Sequence, residues 1–404
     1  MPQWNWQHPD WPTWRLRKGS LVQAERLFAE GCGRLLTTHE RSGPGASERI
    51  MVERVVDEAM TTSTIEGEAL DRASVQSSVR RALSFGVPDR SASLAERGIA
   101  ELLIDVCRSF PLPLEVATLH RWHAMVMSGR TDLADVGRWR TRSEPMQVVS
   151  GRLDRPTVHF EAPPSKRVPG EMRQFIDWFN SSAAAGGRAR LGPLARAGIA
   201  HLWFESIHPY ADGNGRIGRA IAEKALAQSM EHPSLTALSP VILARRSDYY
   251  RALAAASTTL DIDAWQRWFA GAALQAQARA LAEIEFITAK ARLLASVGMQ
   301  LNVRQEKALL RMMSEGSQGF EGGMTASKYM AITRASPATA TRDLGGLAEA
   351  GALVPHGARR HMRYELSLPT RTVPTFEVRE DGSVHSTPLT RARSPRRGSR
   401  GRRD

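Results

Sequence analysis

Apolar positions recur every three to four residues over 21–38, 48–60, about 94–109, about 114–128, about 168–181, 193–207, 214–230, 247–256 and 262–297. That spacing predicts helices with one or more buried faces. The first two are separated by the breaker Ser42-Gly43-Pro44-Gly45, and the third stops against Pro111 and Pro113. Residues 145–163 behave differently. They alternate polar and β-branched positions about a turn containing Gly151, which predicts a hairpin, the one convincing strand pair before residue 350. Four Trp, at positions 4, 6, 11 and 14, crowd a start broken by Pro9 and Pro12. Their spacing fits no amphipathic helix and predicts an extended aromatic segment clamped onto a neighbouring surface. No internal repeat is visible.

Residues 302–368 read as a separate unit. A helix over Val303–Glu315 precedes a Gly-rich break, a second helix starts near Thr325, and a third runs from Ser336 to Ala350 with Ser336 as N-cap and Pro337 at its first position. Leu353–Val354 and Arg363–Leu366 read as two short strands around a basic turn. This is the order of a winged helix-turn-helix. Residues 369–404 are expected to be a basic tail without regular structure. The predicted fold is mainly α, in four parts: a Trp-rich helical module (1–85), a helical core with the hairpin (86–290), the winged helix-turn-helix (302–368) and the tail.

Composition adds three constraints. With 42% hydrophobic and 24% charged residues over 404 positions, the chain is an ordinary globular protein of more than one domain. No apolar run reaches the length of a membrane span and no secretory leader is visible. Cys32 and Cys107 are the only cysteines, so a disulfide scaffold is excluded and a cytoplasmic location is expected. The net charge is +13, of which the last 14 residues, with seven Arg and one Asp, carry +6. A basic chain suits polyanionic partners.

The candidate chemistry sits in His208-Pro209-Tyr210-Ala211-Asp212-Gly213-Asn214-Gly215-Arg216-Ile217-Gly218-Arg219. An apolar helix ends at His208 and Pro209. Gly213, Asn214 and Gly215 form a tight turn whose glycines permit positive φ and close ligand approach. The helix starting near Asn214 presents free amides and a positive dipole end to an anion. Arg216 and Arg219 share one face near that start. Asp212 is placed to hold a divalent metal against phosphate oxygens, and His208 to act as a base. Each feature alone has a plain structural reading; together they converge on one phosphate-bearing ligand.

The segment resembles the HPFx(D/E)GNGRxxR signature of Fic-domain proteins, matching every defined position except that Tyr210 stands for Phe. The resemblance implies a helical core with a hairpin flap and transfer of AMP from ATP to a Ser, Thr or Tyr hydroxyl of a target protein or of the chain itself. It implies that His208 deprotonates the hydroxyl, Asp212 holds Mg²⁺, the Gly213-Asn214-Gly215 amides and Arg216 and Arg219 bind phosphates, and Tyr249 and Tyr250, with Arg245, flank the adenosine. Thr62-Ser63-Thr64-Ile65-Glu66-Gly67 resembles the family's inhibitory motif, (S/T)xxxE(G/N). By that resemblance Glu66 pairs with Arg219 and blocks the γ-phosphate. AMP removal at the same site, and a DNA-binding regulator acting through residues 302–404, stay open as alternatives. His120 and His123, spaced HxxH, are expected to pack in the core rather than bind metal. Arg342 on the third helix and Arg359, Arg360 and Arg363 on the wing suit DNA, while a protein-contact or homodimer-arranging role fits the same unit.

Overall fold

The structure is a computed structural model, which describes residues 3–85, 91–152, 155–183, 191–233, 236–297, 301–315, 320–368 and 373–388. The chain divides into two compact units, residues 1–291 with 376–385 and residues 292–375 with 386–404. The seven arginines from Arg391 onward lie outside the described residues.

In the first unit, α1 (Val22–Glu40) and α2 (Pro44–Ile65) form a helical hairpin. The breaker between them is shorter than expected, because Pro44 already stands at the first position of α2 behind Gly43 at φ +80°. The next helix, α3 (Arg72–Ala82), escaped the periodicity reading. Its buried face is Val75 and Val79 with Ser74, Ser77 and Ser78, so half of it carries no hydrophobic signal. Then come α4 (Leu94–Ser109), opened by a Ser93/Glu96 capping box, and α5 (Val116–Val126). Strands β1 (Gln147–Arg152) and β2 (Arg155–Glu161) pair antiparallel. Gly151 lies within β1, opposite Pro156, rather than in the turn.

Five helices complete the unit: α6 (Val168–Ser181), α7 (Pro193–Ile207), α8 (Asn214–Met230), α9 (Ser239–Ala244) and α10 (Arg246–Ala256), followed by the long α11 (Asp263–Val297). At six residues, α9 is too short to show a period. Helix α7 is apolar on every side and nearly every residue from Leu194 to Ile207 is buried, with α8 packed along it. This central pair positions the turn between them.

The Trp-rich start is clamped as expected. Trp4 meets Phe160 edge-on at 5.4 Å, Trp6 Nε1 donates to the Glu161 carbonyl at 2.6 Å, and Trp11 Nε1 donates to Glu171 at 2.8 Å. Trp11 and Trp14 close on Trp203 of α7 at 6.3 Å. The aromatic segment therefore braces both the end of β2 and the central helix. The expectation that 369–404 lacks regular structure fails for part of it: β5 (Thr375–Val378) and β6 (Val384–Thr387) form a two-stranded sheet. Within the first unit, Val384 N donates to Gln23 at 3.0 Å and Phe376 O lies over Gly271, where a Cβ would sit 2.7 Å away. The strands are four residues each, at the lower limit of the length over which alternation is readable.

In the second unit, α12 (Val303–Met313), α13 (Ala326–Thr333) and α14 (Pro337–Glu349) precede the antiparallel pair β3 (Leu353–His356) and β4 (Arg363–Leu366). Asn302, Thr325 and Ser336 cap the three helices by accepting from backbone amides. The core is Leu309, Met312, Tyr329, Leu344, Leu347, Leu353 and Leu366. Asp343 is its polar centre, accepting from Arg304 Nε at 2.9 Å, Tyr329 Oη at 3.0 Å and Asn302 at 3.3 Å. Burial alone would raise the Asp343 pKa; the Arg304 and Tyr329 hydrogen bonds outweigh it and hold the carboxyl below its usual value. A depressed carboxylate contributes stability above its unfolded pKa and loses it as pH falls through the folded one. We expect Asp343→Ala to destabilise this unit by about 1–3 kcal/mol, chiefly because the buried Tyr329 hydroxyl loses its acceptor. Hydrogen exchange would read this as lost protection of α12 and α14, with α7 and α8 unchanged.

Candidate active site

His208 closes α7 in the left-handed conformation, φ +49° and ψ +60°. This turns the chain out of the helix and the imidazole into a cavity of about 610 Å³. The cavity lies between the β1–β2 hairpin, the C-terminal end of α7, the N-terminus of α8 and α10. Its volume suits a drug- or nucleotide-sized ligand. Burial pushes the His208 pKa down to about 4, the Arg140 charge adds to this, and a hydrogen bond to the Glu205 carbonyl opposes it. The imidazole is therefore neutral at pH 7. A ring N–H given to that carbonyl leaves the other nitrogen with a free lone pair.

The turn after His208 is rigid. Asn214 spends its side chain on Tyr210, accepting from its N at 3.0 Å and donating to its O at 2.9 Å. Tyr210 is fully buried and stacks on His123 with ring centroids 4.0 Å apart. His123 accepts from Gly137 N at 2.9 Å and meets the Asp212 carbonyl at 3.2 Å. His120 and His123 are thus packing residues around the Tyr210 ring. Gly213 stands at φ +79°, where a Cβ would lie 2.8 Å from Met127. The first amides of α8 point out of the helix without intrahelical acceptors.

Asp212 is half-exposed and borders the cavity. Its Oδ1 accepts from Gly213 N at 2.6 Å and its Oδ2 from Arg130 at 2.7 Å. No group of three or more His, Cys, Asp or Glu that could hold a metal occurs among the described residues. One accessible carboxylate beside an anion nest fits a magnesium ion that takes its other ligands from water and phosphate oxygens, and does not fit a preformed protein cage.

Arg216 and Arg219 are both buried, at 4% and 1% exposure, and both are engaged by the α2–α3 connection. Arg219 donates through Nε to Thr62 Oγ1 at 2.7 Å, and through one terminal nitrogen to the Thr62 carbonyl at 3.0 Å and to Glu66 Oε1 at 2.7 Å. Burial alone would lower the Arg219 pKa; the adjacent Glu66 outweighs it and raises it. Glu66 caps α2, and Gly67 at φ +85° ends the helix there. The same Glu66 oxygen lies where a Cβ on Gly215 would be 2.3 Å away. The carboxylate therefore sits on the positive end of α8 as well as on Arg219. Arg219 Nη1 and Arg216 Nε are buried without a hydrogen-bond partner.

Five further residues matter that the sequence reading did not select. Glu68 pairs with Arg216 Nη1 at 2.6 Å; its only signal was a second carboxylate just past Gly67. Glu205, one turn before His208, lies 3.8 Å from His208 Nδ1. Burial pushes its pKa up to about 8 against the pull of Arg219, so it is largely protonated at pH 7 and adds no charge to the cavity. Arg130 and Arg140, on the chain between α5 and β1, had no motif to mark them. Arg246 lines the cavity with its guanidinium 5.6 Å from the Tyr250 ring centre, whereas Arg245 lies over Trp268. Tyr250 borders the cavity and is 41% exposed. Tyr249 reaches the cavity too but is buried, with its hydroxyl on His201 at 2.9 Å. In the second unit Arg342, Arg359 and Arg363 are exposed, and the Arg360 side chain lies outside the described residues.

Residues 113–226 match the Fic/DOC family, and residues 4–85 match a family described as a domain of unknown function, DUF4172. The chain therefore carries a Fic/DOC domain built around α5–α8 and the hairpin. The protein adenylyltransferase fic-1 of Caenorhabditis elegans is 30% identical over 127 residues, 31% of this chain and 21% of that protein. A probable protein adenylyltransferase of Aquifex aeolicus is 31% identical over 70 residues, 17% of this chain and 20% of its own. The chain thus spans about a fifth of the curated relatives it matches. A solved Fic family protein from Desulfovibrio desulfuricans aligns over 88% of this chain and 98% of its own at 21% identity and a TM-score of 0.47. Among the described residues no helix is long and apolar enough to cross a membrane.

Proposed function

We propose that this protein is an adenylyltransferase that moves AMP from ATP to a hydroxyl of a protein, and that Glu66 holds it in check. The single observation that carries the reading is the Glu66 carboxylate lying on Arg219 and on the N-terminus of α8. A carboxylate there occupies a site whose chemistry suits phosphate oxygens.

The attacking hydroxyl oxygen forms a bond to the α-phosphorus, and the bond from that phosphorus to the bridging oxygen breaks, releasing pyrophosphate. His208, neutral at pH 7, accepts the hydroxyl proton. The amides of Gly213, Asn214 and Gly215, with Arg216 and Arg219, orient the phosphates and neutralise their charge. Asp212 would hold Mg²⁺, which supplies charge neutralisation of the phosphates. Tyr250 and Arg246 border the part of the cavity left for the nucleoside. The protein substrate is another protein or the chain itself. Incubation of the full chain and of its Glu66→Gly variant with labelled ATP and Mg²⁺ tests the reading: label on protein supports it, and no label in either protein, with ATP bound, rejects it.

Glu68 gives a smaller prediction. Its ion pair with Arg216 is part-exposed, worth about 0.2–1 kcal/mol. Glu68→Gln should tighten ATP binding by up to about fivefold, as read by titration calorimetry.

A further inference from the structure

Arg140 has no part in the chemistry above, yet each group its side chain touches belongs to the turn after α7 or to the root of the hairpin. Its Nε donates to the His208 carbonyl at 2.8 Å, and its Nη1 to Ser165 Oγ at 2.9 Å. Its Nη2 donates to the Pro163 carbonyl and, at 3.5 Å, to that of Ile207. Its backbone N donates to the Pro209 carbonyl at 3.0 Å. The carbonyls of Ile207, His208 and Pro209 therefore all end on one residue. The side chain is buried, and its hydrogen-bond partners are carbonyls and a hydroxyl. Burial pushes its pKa down to about 10. A guanidinium placed so, without a carboxylate among those partners, is an expensive way to fasten a loop.

His208 needs such a hold. At φ +49° it is a non-glycine residue in the left-handed region, a conformation that persists only where its surroundings over-determine it. Helix α7 fixes the chain before His208 and the Tyr210–Asn214 bonds fix it after; the His208 carbonyl between them is held by Arg140.

We propose that Arg140 is a positioning residue for this reaction: it gathers the carbonyls of the α7–α8 turn, holds His208 in its left-handed conformation, and ties that base to the root of the hairpin that walls the cavity. This rests on His208 being the base. The same residue also acts, after burial, on the charge at the imidazole. The groups that act on His208 are Arg140 before β1, the Glu205 carbonyl on α7, Glu66 at the end of α2 and Asp212 in the turn. After burial Arg140 is the largest influence and pushes the pKa down, while the other three oppose it.

The test uses the full chain carrying Glu66→Gly, with Arg140→Lys and Arg140→Met added separately. Lysine keeps the charge but loses the planar fork of donors; methionine loses both at similar volume. In both, kcat should fall about 10²-fold with the Kd for ATP within about twofold, since a base displaced by about 1 Å fails at the chemical step. His208 titration, followed by NMR of ring-labelled histidine and assigned with His208→Ala, separates the two variants. The pKa should stay low in Arg140→Lys and move up in Arg140→Met. A kcat within threefold of the parent in either variant overturns the proposal. So does a fall in kcat that only tracks loss of folded protein in a thermal melt, with the His208 titration unmoved in Arg140→Met. If the methionine variant does not fold, the kcat and Kd of the lysine variant decide. Should His208→Ala itself transfer AMP normally, the base assignment fails, and the titration in Arg140→Met still reports whether Arg140 governs that imidazole.

Discussion

His208→Ala should lose AMP transfer by about 10²–10⁴-fold while binding ATP almost as well as the parent. The phosphate contacts proposed here lie on α8 and its preceding turn, and the imidazole contributes only to the proton. The ring is neutral at pH 7 because burial and Arg140 hold its pKa near 4, so the basic form is the resident form. Transfer measured in the Glu66→Gly background, where the rate is highest, with ATP affinity measured beside it, checks the assignment. Near-normal transfer by His208→Ala would reject it, and equal loss of transfer and ATP affinity would make His208 a binding residue instead.

Glu66→Gly should raise transfer by about 10²-fold, the size of effect expected when a displaced phosphate chain is allowed back into line. Glu66 and Arg219 are 153 residues apart and meet at 2.7 Å in a largely shielded site, so the contact is a charge-assisted hydrogen bond rather than a screened surface pair. Arg219→Ala should not mimic the activation. It removes the brake's anchor and a proposed phosphate contact in one step. The double variant should behave like Arg219→Ala alone. Transfer in all four proteins forms a double-mutant cycle, and its coupling term measures the brake. Equal transfer by the parent and Glu66→Gly would make Glu66 an ordinary surface carboxylate. Removal of AMP by the parent but not by Glu66→Gly would give the carboxylate a role in hydrolysis instead.

Much of this protein was legible before any tertiary contact was known, because the signals are local. The helical period marked α7, α8 and α11 within one or two residues, since long apolar stripes survive any packing. The Ser336-Pro337 start of α14 was readable because capping depends on adjacent residues. Glycines in and beside the turn announced a positive φ at Gly213 and an open N-terminus on α8.

What escaped was whatever depends on partners distant in the chain. Helix α3 hid behind a buried face of serines, which only neighbouring helices make a core face. Glu68 became significant because α8 brings Arg216 to it across 148 residues. Arg246 rather than Arg245 reached the cavity because the turn between α9 and α10 decides which of two adjacent side chains faces inward. Arg140 sits in no motif, and nothing in its sequence neighbours foretells that three carbonyls of a turn 67 to 69 positions away end on it. By itself the sequence determined most of the helices, their caps and the glycine turn that opens α8, since each is written within a few adjacent residues. The tertiary structure decided which carboxylates meet which guanidinium groups and which residue receives the carbonyls of the α7–α8 turn, since hydrogen bonds and ion pairs across the chain exist only once the helices are packed.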